Sequence, residues 1–189
     1  MSELQSPPDP VASVGATSAA WLATAIGIPV YGASALILSY VGGPVVSALA
    51  PDAQGEEHSW VFIGVAFTNV AIALLGIVLV SHTAGRVLFS RTRGLAPMAA
   101  GRAFAIMGAL LAVVPVVFIA MGQPLHVVGG LYAAIAVGVP CGLTAGLTRA
   151  VLPGILESPF ARRTAVWVGV LGYVVVLGWT AVVMFGIGR

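Results

Sequence analysis

The chain contains five long apolar stretches without a single Asp, Glu, Lys or Arg, and these constrain its fold more than any other feature. Each is long enough to cross a bilayer as a helix, which takes about 20 mainly apolar residues. None shows the alternation of polar and apolar residues that a membrane β-barrel strand requires. We expect the first helix to end before Pro44, because proline interrupts helical hydrogen bonding. The stretches are residues 19–41, 60–81, 103–122, 127–147 and 164–187.

The shortage of charge across the whole chain supports the same conclusion. Only 7% of the 189 residues are charged, whereas soluble domains carry about a quarter. The sequence therefore predicts an all-α polytopic membrane protein, a bundle of five transmembrane helices that forms one domain over residues 17–189. Residues 1–16 are polar and proline-rich, and we expect them to form a disordered cytoplasmic tail.

The arginines predict the orientation of these helices in the membrane. All of them except Arg189 lie between the second and third stretches or between the fourth and fifth, and basic residues favour cytoplasmic loops. We therefore expect a cytoplasmic N-terminus and an external C-terminus. Basic charge supplied by arginine alone, with abundant Ala, Gly and Val, is typical of a GC-rich bacterial genome, which predicts a prokaryotic plasma membrane. The residues that determine this topology are Arg86, Arg91, Arg93, Arg102, Arg149, Arg162 and Arg163.

A stripe of small residues runs along the fourth stretch. Residues four apart lie on one face of a helix, and such small-residue faces allow two membrane helices to approach closely. The stripe therefore predicts a tight contact with another span or with a second copy of the chain, while a role in lining a ligand site is the alternative. Its members are Gly130, Ala134, Gly138, Gly142 and Gly146.

Polar groups and prolines gather near the middle of the predicted spans. A proline inside a helix frees the carbonyl four residues earlier, and in lipid that carbonyl needs another partner. Asn69 is the most polar side chain in any span, so it is expected either to bond such a carbonyl or to line a small cavity. The residues of this possible midplane site are Asn69, Pro29, Pro115, Pro140 and Tyr173.

The predicted outer loops hold a few residues that could bind a metal ion. Glu57 and His58 lie in one loop and His126 in the other, and carboxylate and imidazole together suit divalent metals. Their spacing is not diagnostic, and a solvated loop whose acidic residues favour the start of a helix is the simpler interpretation. We therefore predict no resident metal, and the sequence carries no cofactor-binding or catalytic motif.

Two functions remain open at this stage. The first is a non-catalytic subunit or homo-oligomer, held together through the glycine stripe and partnered by membrane lipids, other membrane subunits or itself. The second is a small transporter or channel for an uncharged or small solute, with a midplane site around Asn69, Pro29 and Pro140. An enzyme is not expected because no acid–base pair lies within a span, and the scattered arginines argue against a nucleic-acid partner.

Overall fold

A computed structural model describes residues 16–49, 55–122 and 126–186, with side chains outside the description at residues 16, 55–60, 126, 179–180 and 182–186. Every regular element in these ranges is helical. Two of the spans contain a π-helical turn, Ile72–Gly76 and Ala134–Gly138. The α-helices are α1 Ala16–Leu49, α2 Gly55–Ala71, α3 Ile77–His82, α4 Ala84–Arg91, α5 Pro97–Gly122, α6 His126–Ala133, α7 Val139–Glu157 and α8 Pro159–Gly186.

The fold is all-α, as the sequence predicts. Five helical stretches of the described chain are long and apolar enough to cross a membrane. They are α1, the pair α2–α3, α5, the pair α6–α7 and α8. The expected tail falls almost entirely outside the described residues, of which Ala16 is the first.

The first helix is longer than expected, because α1 continues through Pro44 to Leu49. The prediction that Pro44 ends it is wrong. In an apolar environment the backbone has no water to bond, so a helix is retained even where proline removes one hydrogen bond. Two contacts hold the last turns: the Ser47 hydroxyl donates to the Gly43 carbonyl over 3.3 Å, and Val46 is buried against α2 and α6.

The fourth span also extends beyond its expected end, and this changes the position of one arginine. Its helix runs to Glu157 rather than to residue 147. Arg149 was expected in the cytoplasmic connection, but it lies inside α7 with only 5% of its surface exposed. The connection to α8 is reduced to Ser158, and Arg162 and Arg163 lie in the first turns of α8.

The helices pack so that α5 and α7 lie side by side along most of their length, with α1 against α7 and α8. Buried clusters fill the bundle at three levels. One lies near the ends distant from the arginines, one in the middle and one near the arginine-bearing ends. They are centred on Val65, Tyr132 and Val137, on Tyr31, Ala35 and Ala73, and on Leu22, Leu152 and Leu156, respectively.

Candidate functional site

The glycine stripe of the fourth span contacts α5 of the same chain. A Cβ added at Gly146 would lie 3.0 Å from the Ala105 Cβ, and one at Gly142 would lie 3.3 Å from the Ala105 carbonyl oxygen. On the facing helix, a Cβ added at Gly108 would come within 2.5 Å of the Cys141 carbonyl oxygen. The two helices approach so closely that their backbones are in contact at these positions.

The other members of the stripe differ in how closely they approach neighbouring helices. A Cβ added at Gly130 would meet the Ala120 Cβ at 3.0 Å. At Gly138 the nearest atom would be the Val116 Cγ2 at 3.9 Å, an ordinary contact. Ala134 and Gly138 both belong to a π-helical turn, and Ala134 is half-buried.

The polar residues at mid-depth are partly brought together. The Tyr31 hydroxyl donates to Asn69 Oδ1 over 2.6 Å, and Tyr31 is only 1% exposed. Cys141 packs against the same cluster. Asn69 is therefore bonded to a tyrosine rather than to a carbonyl that proline has freed.

The prolines lie on different faces of the bundle. Pro29 faces α8, where a Cβ at Gly172 would lie 3.2 Å from the Pro29 Cβ. Pro140 is fully buried and is the second residue of α7, which begins where the π-helical turn of the fourth span ends. Tyr173 is 38% exposed on α8. The predicted midplane set therefore does not form a single site.

The structure instead contains a partly open cavity of about 390 Å³ lined by five helical segments. Along α7 its lining extends from Cys141 to Leu152, a rise of about 16 Å at 1.5 Å per residue. The cavity therefore reaches from the arginine-bearing end to the level of Tyr31 and Pro115. Its walls are mainly Ala, Gly, Leu, Ile and Phe side chains contributed by α1, by the second span, and by α4, α5 and α7.

Arg149 is the charged group buried in this wall. Its Nη2 donates to the Thr92 carbonyl oxygen over 3.2 Å. Its guanidinium carbon lies 4.9 Å from the Phe89 ring centre and 6.0 Å from that of Phe104. The Nε–H has no partner among the described residues. Aromatic faces and one carbonyl thus orient the guanidinium without neutralising it.

Two buried threonines line the cavity one helical turn apart. Thr144 is 6% exposed and Thr148 is 8% exposed, and neither hydroxyl has a hydrogen-bond partner among the described residues. Elsewhere in the bundle, Thr24 and Thr68 donate to the carbonyl four residues earlier, as buried threonines in membrane helices commonly do. Among the buried threonines that the structure describes, only these two therefore have free hydroxyls.

Two further arginines stand at the mouth of the cavity. Arg86 and Arg93 are exposed and, like Arg149, belong to its lining. Among the described residues of the lining there is no Asp or Glu. Across all side chains that the structure describes, Glu157 is the only acidic one, and it lies outside the lining. The mouth is thus positively charged without an acidic neighbour in its wall.

The sequence offers three candidate metal ligands in the predicted outer loops. The side chains of Glu57, His58 and His126 lie outside the described residues. The described part of the chain holds no group of three or more potential metal-binding side chains.

Sequence reasoning missed Arg149, Thr144 and Thr148 as site residues. Arg149 was explained entirely by topology, and threonine is unremarkable in a membrane helix. A partial signal was nevertheless present, because Thr144 and Thr148 are four residues apart and therefore share one face of a helix, and Arg149 follows Thr148 directly.

Comparisons with known proteins leave the cavity as the main guide to function. No family model matches the chain, and neither the curated proteins nor the solved structures include a match. The functional argument therefore starts from the residues of the cavity and their chemistry.

Proposed function

We propose that this protein is a non-enzymatic membrane protein that binds a small amphipathic molecule in the cavity between α1, α5 and α7, as a small carrier does. The observation that carries this proposal is Arg149, a buried cation in the wall of an otherwise apolar cavity. An ionisable side chain within a membrane span is expensive to bury and usually marks a functional site.

The shape of the cavity supports the same function. Ligand sites are typically concave, mostly apolar and provided with a few polar groups that fix orientation. Here those polar groups are Arg149 and the hydroxyls of Thr144 and Thr148. The wall also includes Ile72 and Gly76, the two ends of a π-helical turn, and such turns occur frequently at functional sites.

An accessory-subunit or oligomeric role has weaker support. Its basis in the sequence is the glycine stripe, and Gly142 and Gly146 already contact α5 of the same chain. Assembly through this stripe would require that contact to open. A partner subunit would therefore have to use another surface.

A cavity-filling variant tests the proposal. Ala23 lines the cavity, so Ala23→Leu is expected to reduce binding of a single-chain amphiphile at least ~10-fold by occupying its space. The assay is scintillation-proximity binding of radiolabelled dodecanoate, dodecanol and dodecyltrimethylammonium to purified protein in detergent. Saturable binding of at least one probe at one molecule per chain is the expected result for the wild type.

The matched control is Ala48→Leu, the same substitution at an exposed position of α1. It should bind every probe as the wild type does. Both variants are first checked for a wild-type elution volume in size-exclusion chromatography. Equal binding by Ala23→Leu and the wild type, or no saturable binding of any probe to the wild type, would contradict the proposal.

We further propose that the protein lies in a prokaryotic plasma membrane with its N-terminus in the cytoplasm and its C-terminus outside. Support comes from the arginines of the connection 83–96 and those of the first turns of α8, which lie at the same end of the bundle in a five-span topology. A C-terminal reporter that is active only in the cytoplasm should give no signal, whereas an N-terminal one should be active. A bright C-terminal signal would reverse the orientation.

A further inference from the structure

We propose that the ligand is an amphiphile with one apolar chain and an anionic, oxygen-rich head, a carboxylate or a phosphate, held at Arg149. This inference rests on the proposed binding function and specifies its ligand class. Three independent features of the cavity lead to it: the uncompensated charge, the free hydroxyls and the apolar inner end.

The first feature is the charge. A buried cation is normally paired, because removing it from water costs several kcal/mol in a protein interior. Arg149 is buried, and no acidic side chain is among the described residues of the lining. The missing counter-charge is supplied by the ligand. Arg86 and Arg93 at the mouth add positive potential that attracts an anion toward the entrance.

The guanidinium is also held in a fixed orientation. The Thr92 carbonyl takes one Nη2 donor, and the rings of Phe89 and Phe104 flank the group. The Nε–H is left without a partner among the described residues. Arginine donors form a planar fork that matches the oxygens of carboxylate and phosphate, so a fixed fork with a free donor is suited to such a head.

The second feature is the pair of hydroxyls. Thr148 precedes Arg149 directly, and Thr144 lies about 6 Å deeper at 1.5 Å per residue. Both hydroxyls are buried and free, and a buried donor without a partner is costly. Oxygen atoms of the ligand head satisfy them, which places the polar part of the ligand within about one helical turn of Arg149.

The third feature is the inner end of the cavity. Beyond Thr144 the lining is mainly apolar and includes Leu111, Ala112, Pro115 and Cys141. A polar ligand would lose its hydration there without compensation, whereas an alkyl chain gains from burial. The volume of about 390 Å³ lies near the lower end of the range of ligand pockets, about 300–1,000 Å³, which suits one chain rather than two.

The experiment compares probes that share one chain and differ in the head. The full-length protein is titrated with dodecanoate, monododecyl phosphate, dodecanol and dodecyltrimethylammonium. We expect at least one of the two anions to bind at least ~10-fold more tightly than the neutral and cationic probes, the range for a charge-assisted hydrogen bond. Tighter binding of dodecanoate identifies a fatty-acid-like ligand, and tighter binding of the phosphate identifies a phosphate-bearing lipid.

Variants then assign the preference to residues. Arg149→Gln should reduce anion binding at least ~10-fold and leave dodecanol binding nearly unchanged, because only the charge is removed. Thr148→Val, which keeps the shape of the side chain, should reduce anion binding ~3- to 10-fold even if Arg149→Gln does not fold. The matched controls are Arg102→Gln, at an exposed arginine outside the lining, and Thr24→Val, at a buried threonine whose hydroxyl is bonded.

The outcomes separate the two proposals. If dodecanol or the cationic probe binds as tightly as both anions, and Ala23→Leu blocks that binding, the cavity binds ligands but the anionic class is wrong. If Arg149→Gln and Thr148→Val both bind the anions as the wild type does, the assignment of the head to Arg149 is wrong. If no probe binds saturably, the binding function itself fails.

Discussion

Gly108→Ala is expected to leave little correctly folded protein. The added methyl carbon would lie 2.5 Å from the Cys141 carbonyl oxygen and 2.9 Å from the Ala145 Cβ, both on α7. A backbone carbonyl cannot rotate away as a flexible side chain can, so α5 must move away from α7. That movement weakens the neighbouring close contact between Gly101 and Gly146, and the contacts of several helices depend on this pair.

The expected effect is at the upper end of what overpacking causes, about 3 kcal/mol of lost stability. Membrane helices associate through close packing rather than apolar burial, so little else compensates for the displaced backbone. The readout is the yield of the monodisperse peak in size-exclusion chromatography and the unfolding temperature of the material in that peak. Both should fall sharply.

Two glycines of the facing fourth span provide matched controls. A Cβ at Gly138 meets only the Val116 side chain at 3.9 Å, and one at Gly154 meets nothing within 4 Å. Gly138→Ala and Gly154→Ala should therefore unfold within about 1 kcal/mol of the wild type, with a slight gain where alanine favours the helix. A wild-type unfolding temperature for Gly108→Ala would show that α5 and α7 are not packed as closely as described.

These glycines show what a periodic pattern in the sequence can predict and what it cannot. The stripe identified a face of the fourth span, and Gly142 and Gly146 do contact α5 closely. It did not identify Gly101 and Gly108 on the facing helix, which belong to the shorter small-residue repeats Gly101–Ala105 and Gly108–Ala112. It also assumed an unbroken helix. In a regular helix the twelve residues from Gly130 to Gly142 make about 3.3 turns, so the two glycines would not share a face. The π-helical turn Ala134–Gly138 takes up about one residue, and both glycines face α5.

The existence and order of the five spans were predictable, because charge-free stretches of this length have few alternatives in any environment. The ends of the spans were not. Helices α1 and α7 continue through Pro44 and Pro153, so proline is not a reliable boundary within a membrane. The second extension also carries Arg149 from a predicted loop into the bundle.

The cavity itself could not have been predicted, because its lining comes from parts of the chain that no local pattern connects. Gly27, Ala112 and Thr148 lie in three different spans and share no motif, yet all three line it. The Tyr31–Asn69 hydrogen bond could not have been predicted either, because the sequence indicates that Asn69 needs a partner but does not indicate which one. Such information is contained in the packing of helices rather than in their individual sequences.

Arg149→Leu is expected to raise the unfolding temperature of the ligand-free protein while abolishing its response to anions. Removing an unpaired buried charge removes a desolvation penalty of several kcal/mol, so an apolar side chain in its place should stabilise the empty protein. Leucine suits this position because Phe89, Phe104 and Leu152 also line the cavity. The Thr92 carbonyl keeps a partner in the variant, since the Leu95 amide also donates to it over 3.1 Å.

The measurement is thermal unfolding in detergent after co-purifying lipid has been extracted, with and without dodecanoate. Ligand binding to the folded state raises the free energy of unfolding of the wild type, and the increase grows with ligand concentration. Arg149→Leu should show no such increase. Arg102→Leu, at an exposed arginine, should change stability by less than about 0.5 kcal/mol and keep the response.

A lower unfolding temperature for Arg149→Leu would instead identify Arg149 as a structural link between α7 and the segment that follows α4. Because a ligand-binding cation costs stability when the site is empty and a structural one contributes to it, the sign of this single shift distinguishes the two roles.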